Sequence, residues 1–139
     1  MDRMTTQYHV TRGFFAEQFL LELATPVNNH TLYAILAWME GEGTKARNNP
    51  LATTRSRTNT TEFNSAGVKN YMTFADGMGA TMDTIHLAPY KKLRAEILRG
   101  TSAHAICKLI VSSPWGTAAV PLDAILADPA KYASKVIVT

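Results

Sequence analysis

The chain has 139 residues, of which 46% are hydrophobic and 18% charged, with 14 basic residues against 11 acidic ones. That length suits a single domain over residues 1–139 and is too short for two ordinary ones, and the charge balance excludes a chain held unfolded by its own repulsion. No run approaches the roughly 18 uninterrupted apolar residues of a membrane-crossing helix.

The most apolar N-terminal stretch, Phe14 to Ala24, is broken by Glu17, Gln18 and Glu22 and does not read as a secretory signal. The lone Cys107 can close no intrachain disulfide and supplies no multi-cysteine metal site. His9, His30, His86 and His104 lack the spacing and the acidic or thiol neighbours of a zinc site. Neither a metal nor a cofactor is expected.

In chain order, Phe15, Phe19 and Leu23 recur every fourth residue and predict an amphipathic helix ended by Pro26 and the Asn28-Asn29 pair. Leu32, Ile35, Leu36 and Met39 place a second helix on one buried stripe, with Gly41 and Gly43 to stop it. From Asn49 to Phe74 the helical period is lost, and Asn, Gly and Thr alternate with isolated apolar residues, which predicts a small two- or three-stranded antiparallel sheet. Helices resume with Met78, Met82 and Ile85. Pro89 then opens a helix carrying Tyr90, Leu93 and Ile97 before Gly100. Ser102 caps a helix with Ile106, Leu109 and Ile110; a short run follows from Leu122 to Leu126, and Asp128-Pro129 starts another helix. Helices, a small sheet, then helices again make an α+β class.

The junction between the second helix and the polar segment carries the chemistry. At about 100° per residue Glu42 falls near the direction of Ile35 and Trp38, whereas Glu40 points about a right angle off the stripe. A carboxyl against such a surface resists ionisation, because desolvation penalises its charged form. A general acid for glycosidic cleavage needs that property. The plainer alternative is a pair of solvated glutamates at a frayed helix end.

Taken together, Trp38-x-x-x-Glu42-Gly43, Asn48-Asn49-Pro50-Leu51-x-Thr53-Thr54, Phe63-Asn64-Ser65-x-Gly67-Val68-Lys69-Asn70-Tyr71 and Ser113-Pro114-Trp115-Gly116-Thr117 resemble the lysozyme-like proteins of bacteriophages that infect actinobacteria. The resemblance spans roughly Phe14 to Thr117. It implies a lysozyme-like fold in which a small sheet forms one wall of a glycan cleft and helices form the other, and an activity of the peptidoglycan glycosidase or lytic transglycosylase kind. It assigns Glu42 as general acid and gives Glu40 no role. Asn49, Thr53 and Thr54 become the start of the cleft sheet, and Asn64, Gly67, Asn70 and Tyr71 the returning strands. There Gly67 would admit close approach of a sugar, Asn70 a hydrogen bond and Tyr71 a stacking face. An ordinary hairpin turn accounts for Gly67 equally well, and Trp115 either lines the cleft or plugs the core.

No spacing selects a second carboxylate among Glu62, Asp76 and Asp83, so hydrolysis and transglycosylation both stay open. The expected partners are peptidoglycan glycan strands and other virion proteins, with the protein delivered in the phage particle or released from the infected cell. A catalytically silent virion or glycan-binding protein on the same scaffold is the competing reading. Lys45, Arg47, Arg55 and Arg57 fall between Thr44 and Thr61 with no acidic residue among them. They attract anionic polymers or form a solvated loop, and without interleaved aromatics they do not suggest a nucleic-acid partner. Cys107 reads as a buried thiol, the Gly77-x-Gly79 pair as a device for tight helix packing, and Val136 to Thr139 as a strand added to a neighbour or a segment that packs on its own chain.

Overall fold

The computed structural model describes residues 9–139. Its elements are α1 (Arg12–Glu22), α2 (Asn29–Glu42), β1 (Thr61–Glu62), β2 (Lys69–Asn70), α3 (Phe74–Ile85), a 3-10 turn at Ala88–Tyr90, α4 (Lys91–Arg99), α5 (Ala103–Ser112), α6 (Leu122–Ala127) and α7 (Pro129–Ala133). The molecule is mostly helical with one very small antiparallel sheet. No described helix is long and apolar enough to cross a membrane.

Helix starts follow side-chain chemistry. Thr11, Thr73, Ser102 and Asp128 each accept a hydrogen bond from a backbone N–H of the first turn that has no partner within the helix. Asn28 closes a reciprocal capping box with Thr31, and its Nδ2 also donates to Gly100 O at 3.0 Å, tying the start of α2 to the end of α4. Gly43 and Gly100 end α2 and α4 in the left-handed region, at φ +55° and +65°, where a side chain would be strained.

The second helix departs from the single buried stripe. Every residue from Ala34 to Met39 is at most 3% exposed, and α1, α5, α6 and α7 all pack on it. A helix apolar on every side belongs in the middle of a core, and here Ala34, Ala37 and Trp38 fill the faces that the Ile35, Leu36 and Met39 stripe leaves. Gly41 does not stop the helix. It lies inside α2, where a Cβ would sit 2.0 Å from Ala119 O, so its small size admits the backbone leading into α6.

An aromatic chain runs through this core. Phe14 and Phe15 both meet Phe74, Phe15 stacks on Phe19, and Phe19 meets Trp38 edge-on at 6.1 Å. Trp38 meets Trp115 at 4.7 Å, and Trp115 meets Tyr90 at 5.4 Å, each pair tilted towards the edge-to-face arrangement that aromatic quadrupoles favour.

Between α2 and α3 the expected sheet is reduced to two residues per strand, Thr61 opposite Asn70 and Glu62 opposite Lys69. Elsewhere in this segment side-chain amides replace a strand ladder. Asn48 Nδ2 donates to Tyr71 O, and Asn49 Nδ2 donates to both Thr53 O and Lys69 O, each at 2.8–2.9 Å. Buried backbone carbonyls need such partners when no strand supplies them. The C-terminal segment packs on its own chain: Ile137 N donates to Val10 O at 2.9 Å and Asn48 N to Val138 O at 2.7 Å.

The close approach at Gly77 is to a loop and not to another helix, for a Cβ there would lie 1.8 Å from Asn48 O. The Gly77→Ala variant is expected to lose about 3 kcal/mol, because α3 must move off the loop it contacts. Gly43→Ala meets no close atom and should lose only about 1 kcal/mol from left-handed backbone strain. Urea denaturation of both variants checks the order, which fails if Gly43→Ala is the more damaging.

Candidate functional site

Glu42 is the last residue of α2, placed where the buried helix reaches solvent. Its side chain is half-buried, and Thr117 Oγ1 donates to its Oε1 at 2.5 Å. Trp38, one turn earlier and fully buried, donates from Nε1 to the same Thr117 oxygen at 3.1 Å. Burial raises the Glu42 pKa above its ordinary value, an effect that the hydrogen bonding of Thr117 and Trp38 offsets only in part. Glu40 behaves in the opposite way. Burial works against its ionisation too, yet hydrogen bonds from Arg12 at 2.6 Å and Lys135 at 3.0 Å outweigh that and hold its pKa below the usual range. These two glutamates two residues apart face different neighbours, as helix geometry requires.

Trp115 both packs and lines a surface. Its Nε1 donates to Leu51 O at 2.7 Å, its ring packs at steep angles on Trp38 and Tyr90, and it borders a hollow of about 180 Å³ shared with Thr53, Thr54, Thr84, Tyr90 and Pro114. Thr53 Oγ1 and Thr84 Oγ1 are hydrogen-bonded at 2.8 Å within that wall. The hollow is smaller than the roughly 300 Å³ of a drug-sized site and combines two aromatic rings with hydroxyl groups, a lining suited to a single polar ring. Glu42 is not among its lining residues. The link between them runs through Trp115, Trp38 and Thr117.

The other residues nominated from the sequence are occupied elsewhere. Both ends of the Asn49 amide are used, since its Oδ1 also accepts from Thr53 N at 2.9 Å. Asn64 Oδ1 accepts from Ala66 N and Val68 N, so Asn64 and Gly67, at φ +92°, build the hairpin turn. Asn70 Oδ1 accepts from Arg47 N at 2.9 Å. Tyr71 offers no stacking face: it is 1% exposed, its hydroxyl donates to Arg55 O, and burial pushes its phenol up to about 12. The polar wall of the hollow is the Ala52–Thr54 stretch, and none of the four paired strand residues borders it.

Two of the three further carboxylates are held by cations. Glu62 pairs with Lys69, and Asp83 with Arg57 at 2.7 Å and Arg55 at 3.9 Å. Asp76 lies in the first turn of α3, where the helix dipole favours a negative charge. The basic loop is thereby partly neutralised, and the Arg57 guanidinium lies over Gly79, where a Cβ would meet it at 2.6 Å. Cys107 is buried, which pushes its thiol up to about 12 and leaves it protonated at neutral pH.

Thr117, Thr84, Tyr90 and Pro114 were not assigned roles from the sequence. Thr117 and Pro114 stand in the Ser-Pro-Trp-Gly-Thr motif, which was the available signal; Thr84 and Tyr90 had none beyond helical spacing. Gly116 makes the motif work, with φ +86° and open space around it, because the left-handed turn lets Trp115 meet Leu51 while Thr117 meets Glu42.

A raised folded-state pKa means that ionised Glu42 opposes folding. The cost is absent below the unfolded value near 4.5, grows as pH rises through the folded value, and is complete above it. Glu42→Gln keeps an acceptor for Thr117 and never ionises, so its Tm should exceed that of the wild type at pH 7, with the advantage disappearing below pH ~4. Thermal melts across pH check this, and an advantage independent of pH would refute it. Among known proteins, the chain matches no family model, no curated protein and no solved structure.

Proposed function

We propose that the domain cleaves peptidoglycan glycan strands, with Glu42 as the general acid of a glycosidase or lytic transglycosylase of lysozyme-like architecture, encoded by a phage and acting on the bacterial wall. The observation that carries this reading is the state of Glu42: a half-buried carboxyl at the exposed end of an apolar helix, with its pKa raised and one oxygen bonded to a neutral hydroxyl. Such a group keeps its proton at a higher pH than a solvated glutamate and can deliver it to a leaving glycosidic oxygen. The hollow beside Trp115 supports the same reading, because an aromatic face bordered by hydroxyls suits a pyranose ring.

None of Glu62, Asp76 and Asp83 lines the hollow beside Trp115, and Glu62 and Asp83 are paired with cations, which supports a reaction that needs no second carboxylate. In such a reaction Glu42 protonates the leaving oxygen. As a carboxylate it then takes the proton of the sugar hydroxyl that attacks the anomeric carbon, and an anhydro sugar forms. The same observation fits a silent virion or glycan-binding protein on this scaffold.

Digestion of purified mycobacterial-type peptidoglycan, with mass spectrometry of the soluble products, separates these readings. The wild type is expected to release fragments ending in anhydro sugars, and Glu42→Gln to lose at least about 100-fold in rate, the usual contribution of a general acid. Reducing ends instead of anhydro ends would make it a hydrolase. Binding without release by either protein would leave a glycan-binding scaffold, and equal release by both would remove Glu42 from the chemistry.

A further inference from the structure

The hydrogen bonds around Glu42 have a direction. An indole nitrogen can only donate, so the Trp38 contact uses a lone pair of Thr117 Oγ1. The single hydroxyl proton of Thr117 then has one acceptor among the described residues, Glu42 Oε1. The contact spans 2.5 Å, close enough for a direct O–H···O hydrogen bond. The reverse arrangement, with a protonated Oε1 donating to Thr117, would leave the Thr117 proton with no acceptor in a side chain only 4% exposed, which is costly. Both upstream members are buried, Trp38 at 0% and Thr117 at 4%, so solvent does not readily substitute for either.

We infer that Trp38 and Thr117 form a one-way relay that keeps Glu42 Oε1 an acceptor and confines the acidic proton to Oε2, which makes Thr117 a positioning residue for this carboxyl. The catalytic consequence rests on the reading of Glu42 as general acid; the relay itself does not. Its effect on ionisation comes from uncharged groups alone. Only Thr117, from the segment after α5, and Trp38, from α2, act on Glu42 beyond its burial among the described residues. Glu40 is turned away around α2 and held by Arg12 and Lys135. The relay also gives the Trp-Gly-Thr order a use, since Trp115 packs on the Trp38 ring while Thr117 takes its N–H.

The test is an NMR pH titration of the carboxyl carbon of Glu42, in protein labelled with ¹³C at that position, for wild type, Thr117→Ser and Thr117→Val. Removing the hydroxyl should raise the proton affinity of Glu42 about tenfold, since a hydrogen bond to the charged form is lost. Thr117→Ser should titrate as the wild type does. In the wild type the Trp38 indole N–H signal should move with the same midpoint as the carboxyl, a readout that needs no variant to fold. An unchanged midpoint in a folded Thr117→Val protein, or an indole signal that ignores the carboxyl titration, overturns the relay. If the relay holds while Glu42→Gln still digests peptidoglycan, the catalytic reading fails alone. If Glu42→Gln is inactive while the titrations show no coupling, the relay fails alone.

Discussion

A helical segment with no exposed face must somewhere bring its backbone back to water, and in this protein that constraint organises the end of the central helix. α2 is sealed from Ala34 to Met39 and emerges at Glu40–Gly43. Its last carbonyls and its two carboxylates therefore share one small exit. Gly43 turns the chain out of the helix in the left-handed region, Glu40 takes the cations that suit a helix C-terminus, and Glu42 is left with neutral donors.

The two glutamates show how strongly environment outweighs identity. Each is a partly buried glutamate near the end of one helix, but Arg12 and Lys135 stabilise the charge on Glu40 whereas burial destabilises the charge on Glu42. Arg12 opens α1 and Lys135 follows α7, so the Glu40 pairs tie both ends of the described chain to the central helix. The two carboxyls thus differ in what holds them, cations for Glu40 and a neutral hydroxyl for Glu42.

The polar segment between α2 and α3 builds a surface without a real sheet. Asn48, Asn49, Asn64 and Asn70 direct their side-chain amides at backbone groups, which stiffens an irregular loop at the cost of leaving few of those amides for a ligand. Hydroxyls and rings remain: Thr53, Thr54 and Thr84 on one side, Trp115 and Tyr90 on the other. What this surface offers is therefore aromatic rings and hydroxyls more than asparagine amides.

Local chemistry in the sequence determined the helices, the Ser102 and Asp128 caps and the position of Glu42, because periodicity, Ser, Asp and Gly signals and the Trp38-to-Glu42 spacing act within one or two helical turns. The buried thiol of Cys107 was legible for the same reason. Tertiary structure decided the rest. It buried α2 on every side from Ala34 to Met39 by surrounding it with four other helices, reduced the sheet to two pairs by supplying side-chain partners, buried Tyr71, and sent the C-terminal segment back to Val10. It also brought Thr117, 75 residues away in the chain, to the carboxyl of Glu42. Spacing along a chain encodes which residues share a face, but which donor reaches a carboxyl across the core is set only when the faces pack.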